Sequence, residues 1–152
     1  MQILHPMVEA ILMRRSVRHY TARPVEETML NQILLAGIHA PSAHDSRPWK
    51  VAAVTSAEGK QRLTGALSSR FQKDMEAAGF SPEETERRLA RSQGIFASAP
   101  VLVVLFARRN LPANPLAKTG ETEQLLTAQS VALAAGQMLL AASHLGLSGC
   151  WF

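Results

Sequence analysis

A chain of 152 residues with 47% hydrophobic residues is long enough to bury one sizeable core without a disulfide or metal to stabilise it, so global disorder is excluded and a single domain is expected. The single cysteine, Cys150, excludes an internal disulfide framework and a cysteine-built zinc site, and it fits a reducing compartment. The formal charge of +4 rests on 16 Lys+Arg against 12 Asp+Glu, and 12 of the 16 cations are arginine, the side chain that forks onto phosphate or carboxylate.

The opening MQILHPMVEAILMRR lacks the order of a secretory signal, so a cytoplasmic protein is expected. Within it, Met7, Val8, Ile11 and Leu12 recur at helical spacing over residues 5–14. Met29, Leu30, Ile33, Leu34 and Ile38 repeat the pattern over 25–39, where Pro24 and the acidic pair Glu26 and Glu27 mark a helix start. APSAHDSRPW at 40–49 is a loop by its Pro, Ser and Asp content, and WKVAAVT at 49–55 reads as a strand. A charged helix is expected over 57–78. Ser81, Pro82 and Glu84 spell the capping box of another.

The uninterrupted APVLVVLFA at 99–107 predicts a strand buried on both faces. A loop is expected at 108–121, then a long helix over 121–145, then the start of a strand in LSGCWF. From Gln124 to Phe152 there is no charged residue, yet Gln129, Ser130, Gly136, Gln137, Ser143 and His144 are costly in hydrocarbon. The expectation is a helix at the centre of a core or along a dimer seam, with no membrane span. Helices and strands interleave, leaving α+β and α/β both open.

Chemistry concentrates in two places. In RRSVRHY at 14–20, an extended backbone would put Arg14, Ser16 and Arg18 on one side, two guanidinium forks and a hydroxyl suited to a phosphate monoester. The competing reading is a basic helix end whose arginines satisfy the last carbonyls. In PSAHDSRPW, small side chains and polar groups can meet the edge of a planar heterocycle; the alternative is an ordinary surface connection. His44 is the one histidine placed to touch a ligand there.

The five histidines show no metal-site spacing, so no metal is expected. Cys150 sits in an apolar run as a small core residue, and Met29, Met75 and Met138 fall at core spacing. RRLAR at 87–91 follows three glutamates and reads as a solvated helix face. A nucleic-acid binder using 14–18 is a rival, but aromatics are only 5% of the chain and none interleaves with the arginines, so no nucleic-acid partner is expected.

The spelling adds a resemblance. RRSVRHYTARPV at 14–25, ILLAGIHAPSAHDSRPWKVAAV at 33–54 and ALAAGQMLLAASHLGLSGCWF at 132–152 resemble, in order, the R-x-S-x-R/K-x-[FY] start, the A-P-S-x-x-N-x-Q-P-W loop and the late helix ending G-L-G-x-x-W of the nitroreductase family. The resemblance implies one α+β domain over 1–152, a mostly antiparallel central sheet flanked by helices, and a long central helix at a homodimer interface. It also implies a flavoprotein that binds FMN without a covalent bond. Such an enzyme passes hydride from NADH or NADPH through flavin N5 to a nitroaromatic, quinone or similar small acceptor in a ping-pong scheme, and no catalytic side chain is required.

Carried over by position, Arg14 and Ser16 would hold the FMN phosphate with Arg15 alongside, and Arg18 would reach the pyrimidine end of the ring. Pro41, Ser42 and Ala43 would line the flavin from the other subunit, with Trp151 near the ring. Asp45 and Arg47 stand where the family has Asn and Gln, and Gln137 where many members have Asn. An ionised Asp45 only accepts hydrogen bonds and would disfavour a reduced flavin unless Arg47 or Arg18 neutralises it. Against the family pattern the chain is C-terminally short, ending where members supply donors to N5 and O4. The alternative is therefore a family-shaped, non-catalytic or flavin-holding protein.

Overall fold

The computed structural model of the chain describes residues 5–108 and 120–152. It divides into two compact units, the first made of Met1–Val17, Val25–Ala52 and Val104–Phe152, the second of Arg18–Pro24 and Ala53–Val103.

The first unit is organised by its long C-terminal helix. Helix α1 (Pro6–Met13) starts where His5 Nδ1 accepts from Met7 N at 3.3 Å, with Pro6 at the position whose missing N–H costs nothing. It ends at Arg14, where the backbone turns extended with ψ 133°. Helix α2 (Glu27–Ile38) begins two residues later than the Pro24-Val25 signal predicts, because Glu26 holds the extended conformation of a cap. Helix α5 (Gly120–His144) buries Thr127, Ser130, Ala134, Ala135, Met138 and Ala142. Both α1 and α2 pack on it.

The terminus of α5 is set by Gly146 at φ +75°: Leu147 N donates back to Ala142 O at 2.9 Å, closing the last turn as a left-handed residue permits. Among the described residues, α5 is the one helix long and apolar enough to cross a membrane by length and composition.

Strands β1 (Trp49–Val54) and β2 (Leu102–Ala107) form a two-stranded antiparallel sheet, extended by Arg108 N donating to Pro48 O at 2.8 Å. Trp49, Ala40 and the fully enclosed Ala134 form the core of this unit, with Val51, Leu105 and Val131 against them. The expectation that 99–107 is buried on both faces is corrected. Ala99 closes α4 instead of opening a strand, and β2 is half-buried over 102–105 with Phe106 exposed: branched apolar residues favour a strand, while burial of its faces depends on what packs against them. LSGCWF likewise forms no strand among the described residues: Gly149 makes one isolated parallel bridge to Ser16.

The second unit is a helical pair, α3 (Ala57–Ala77) against α4 (Pro82–Ser98). Ser56 and Ser81 cap the two N-termini, accepting from Gly59 N and Glu84 N at 3.1 and 3.2 Å. Only half of the capping box forms, since the Glu84 carboxylate turns outward to Arg87 and to Arg88 Nε at 2.6 Å. Lys60 Nζ reaches the Ala99 carbonyl at the C-terminus of α4, at 2.9 Å, where a cation meets the negative end of the helix. Most of the loop expected at 108–121 lies outside the described residues.

Candidate functional site

Two groups of predicted site residues lie in the first unit. The first forms where α1 stops. Arg14 breaks the helix into extended backbone, and its Nη1 donates to Ser16 Oγ at 3.4 Å, so a guanidinium and a hydroxyl do share one side as period-two alternation requires. The backbone beneath them is held from the far end of the chain: Val17 N donates to Gly149 O at 3.2 Å, and Gly149 lies two residues before Trp151. Trp151 is exposed.

Arg15 takes the other course that its position allows. Its Nη1 donates to Leu12 O at 2.7 Å and to Arg14 O at 3.0 Å, which places its charge on the terminal carbonyls of α1. Among the described residues the ion pairs are Arg47–Asp45, Arg70–Asp74 and Glu84 with Arg87 and Arg88. Arg14 is in none of them. With the Ser16 hydroxyl its guanidinium makes a donor set whose chemistry fits a phosphate dianion. Arg18 belongs to the second unit and is exposed.

The second group is the loop after α2. Ala43–Asp45 make a single 3₁₀ turn, and three residues within four positions hold left-handed φ angles: His44 at 55°, Asp45 at 49° and Arg47 at 42°. Side chains with a Cβ rarely adopt that region, so the loop conformation needs specific contacts to hold it. Three interactions impose it. Ser42 Oγ accepts from Arg47 N at 2.9 Å, closing the loop on itself. Arg47 Nε and Nη2 fork onto Asp45 at 2.9 and 3.3 Å. Ala43 N donates to Ser130 Oγ of α5 at 3.1 Å, and buried Pro48 and Trp49 anchor the exit.

Pro41, Ser42 and Ala43 are thus held together in one fixed turn, with Ser42 and Ala43 half-buried and Pro41 exposed. The forked pair sets Asp45 against the Arg47 guanidinium, one of the two cations expected to neutralise it. Ser130 is the residue that sequence reasoning missed. It stood out only as a polar interruption of an apolar helix, although its place on the buried stripe Thr127, Ser130, Ala134, Met138 was a signal that its hydroxyl had a partner.

On its other side α5 carries a shallow apolar groove lined by Gln129, Ala132, Leu133, Gly136, Gln137 and Leu140. Leu125 and Leu133 are exposed, as are Met7, Ile11 and Leu12 of α1, none of whose residues is buried. A helix with one open, largely apolar face is suited to a subunit contact.

The Nitroreductase family model matches residues 11–152. Among curated proteins, a protein from Thermus thermophilus named NADH dehydrogenase is 33% identical over 98 residues, covering 64% of this chain and 37% of that one. A 5,6-dimethylbenzimidazole synthase from Rhodobacter capsulatus is 30% identical over 146 residues, covering 93% of this chain and 68% of that protein. The chain thus spans well under two thirds of the Thermus relative's length. Among solved structures, a nitroreductase with bound FMN from Bacteroides fragilis superposes with a TM-score of 0.75 at 27% identity, covering 97% of this chain and 70% of that one.

Proposed function

The chain belongs to the nitroreductase family and has its α+β fold, and on that premise we propose that it is an FMN-dependent oxidoreductase working with NADH or NADPH. The observation that carries the reading is the Arg14–Ser16 donor pair, held on backbone tied to Gly149. FMN, when bound, supplies the transfer of reducing equivalents from the nicotinamide to a small electrophilic acceptor such as a nitroaromatic or a quinone.

The chain's own residues bind and orient. Arg14 and Ser16 hold the phosphate by charge-assisted hydrogen bonds, and Arg15 secures the helix end from which they project. Arg18 is assigned by the family resemblance to the pyrimidine end of the ring, where a cation favours the reduced form. Pro41, Ser42 and Ala43 present a rigid edge to a flavin shared with a second copy, and Arg47 cancels the charge that Asp45 would otherwise set beside it. Trp151 flanks the ring. The second copy packs on the open face of α5, so the working unit is a homodimer.

Purified protein should be yellow or turn yellow with added FMN, and bleach under NADH or NADPH without oxygen. A colourless protein that takes up no FMN would overturn the reading, and a yellow one that never bleaches would mark a flavin holder. A second reading is supported by the Rhodobacter relative, whose match covers more of this chain than the Thermus protein's does. Formation of 5,6-dimethylbenzimidazole by the loaded protein, in place of acceptor reduction, would favour it.

A further inference from the structure

Resting on the flavin reading above, we propose that Ser130 is a positioning residue for the flavin-facing loop, acting from α5 by capping the 3₁₀ turn at Ala43. The turn begins at Ala43, and Ser42 stands where its cap belongs, yet the Ser42 side chain makes no cap bond. Its hydroxyl is engaged across the loop by Arg47 N at 2.9 Å. The Ala43 N–H would be left as an orphan donor at a helix start.

Ser130 takes that place from a separation of 87 residues, accepting from Ala43 N at 3.1 Å. The direction of the bond is fixed. The single Ser130 hydroxyl hydrogen goes to Leu126 O, 2.7 Å away and one turn back on α5, so only lone pairs remain to face Ala43. Ser130 is 2% exposed, which denies water the chance to replace it.

The two serines have exchanged tasks: Ser42 closes the loop and Ser130 anchors it. The exchange lets three consecutive predicted flavin contacts, Pro41, Ser42 and Ala43, stand on the rigid helix instead of on the loop's own strained backbone. Ser130 touches no ligand in this scheme. It acts through Ala43.

The test compares Ser130→Ala with wild type, with Ser130→Thr, which keeps an acceptor on the same carbon, and with Met75→Ala, a core truncation in the second unit that lowers stability without touching the loop. Two readouts are taken. Amide exchange at Ala43 in protein without FMN is expected to speed up about tenfold or more in Ser130→Ala and to stay slow in the other two. FMN binding, followed by quenching of its fluorescence, is expected to weaken about tenfold in Ser130→Ala, with an altered visible band, and to recover in Ser130→Thr.

Unchanged Ala43 exchange in Ser130→Ala would overturn the proposal whatever FMN does. Faster exchange with wild-type FMN affinity would overturn the link to the site. If wild type binds no FMN, the flavin reading itself fails and the role assigned to Ser130 falls with it.

Discussion

Arg47 donates through Nε and Nη2 to the two carboxylate oxygens of Asp45, at 2.9 and 3.3 Å, and both residues hold left-handed backbone. The pair is exposed on both sides and contributes little to stability. What it changes is local charge, because the loop that carries it then presents a neutral pair instead of an isolated carboxylate.

Arg47→Ala should therefore lower the reduction potential of bound FMN while leaving the melting temperature nearly unchanged. A unit charge in water at about 4 Å is worth about 1 kcal/mol, and about 30 mV corresponds to about 1.4 kcal/mol for two electrons, so the shift is on the order of 20 mV. Spectroelectrochemical titration measures it. The double change Asp45→Asn with Arg47→Gln should return the potential, and a potential indifferent to both variants would detach the pair from the flavin.

Arginines in one short segment should behave differently. Arg14→Ala is expected to weaken FMN binding by about tenfold or more, the loss of a charge-assisted bond to phosphate. Arg15→Ala should weaken it less, since that guanidinium serves the carbonyls of Leu12 and Arg14. Arg18→Ala should weaken FMN binding or lower its potential. Arg88→Ala, paired with Glu84 and stacked 4.9 Å from the Phe80 ring centroid, should do neither. Equal effects at all four positions would remove the site assignment.

Helices α2 and α5 approach so closely that a Cβ at Gly37 would overlap Met138 Cε and Cγ. Alanine in a helix ordinarily gains about 1 kcal/mol over glycine, but crowding a packed core costs about 1–3 kcal/mol. Met138 is 5% exposed and has little room to move away. Gly37→Ala should thus destabilise the protein by about 1 kcal/mol in chemical unfolding, and a stabilised variant would show that Met138 repacks freely.

The Glu84 carboxyl is held below its ordinary value of 4.5, chiefly by the hydrogen bond from Arg88 and also by Arg87. A depressed carboxyl stabilises the fold above its unfolded value and loses that contribution as pH falls through the folded one. Thermal unfolding from neutral pH into the acid range should fall less steeply for Glu84→Gln than for wild type, by a small margin because the pair is solvated. Parallel curves would deny Glu84 any part in acid stability.

On the open face of α5, Leu133 is 50% exposed within the apolar groove. If a second copy covers that groove, Leu133→Arg should convert a dimer into a monomer by light scattering, with helix content preserved. A dimer untouched by this charge, or a wild-type monomer at micromolar protein, would rule the α5 face out as the subunit contact.

Local order was legible in the residues alone. The cap at Ser81, the proline after it, the alternation that brings Arg14 to Ser16 and the spacing of the long helix each depend on neighbours a few residues apart, whose geometry the backbone dictates. Three ordered motifs were enough to identify the family, and the resemblance suggested the cofactor proposed for it.

Packing alone decided the rest. That β2 is half-covered follows from what the fold lays against its faces, which no run of branched residues can announce. That Ser42 serves Arg47 while Ser130 serves Ala43 follows from a helix 87 residues away arriving against the loop. Hydrogen-bond partners of a buried polar group are chosen by what the fold brings within about 3 Å, and chain distance carries no record of that choice.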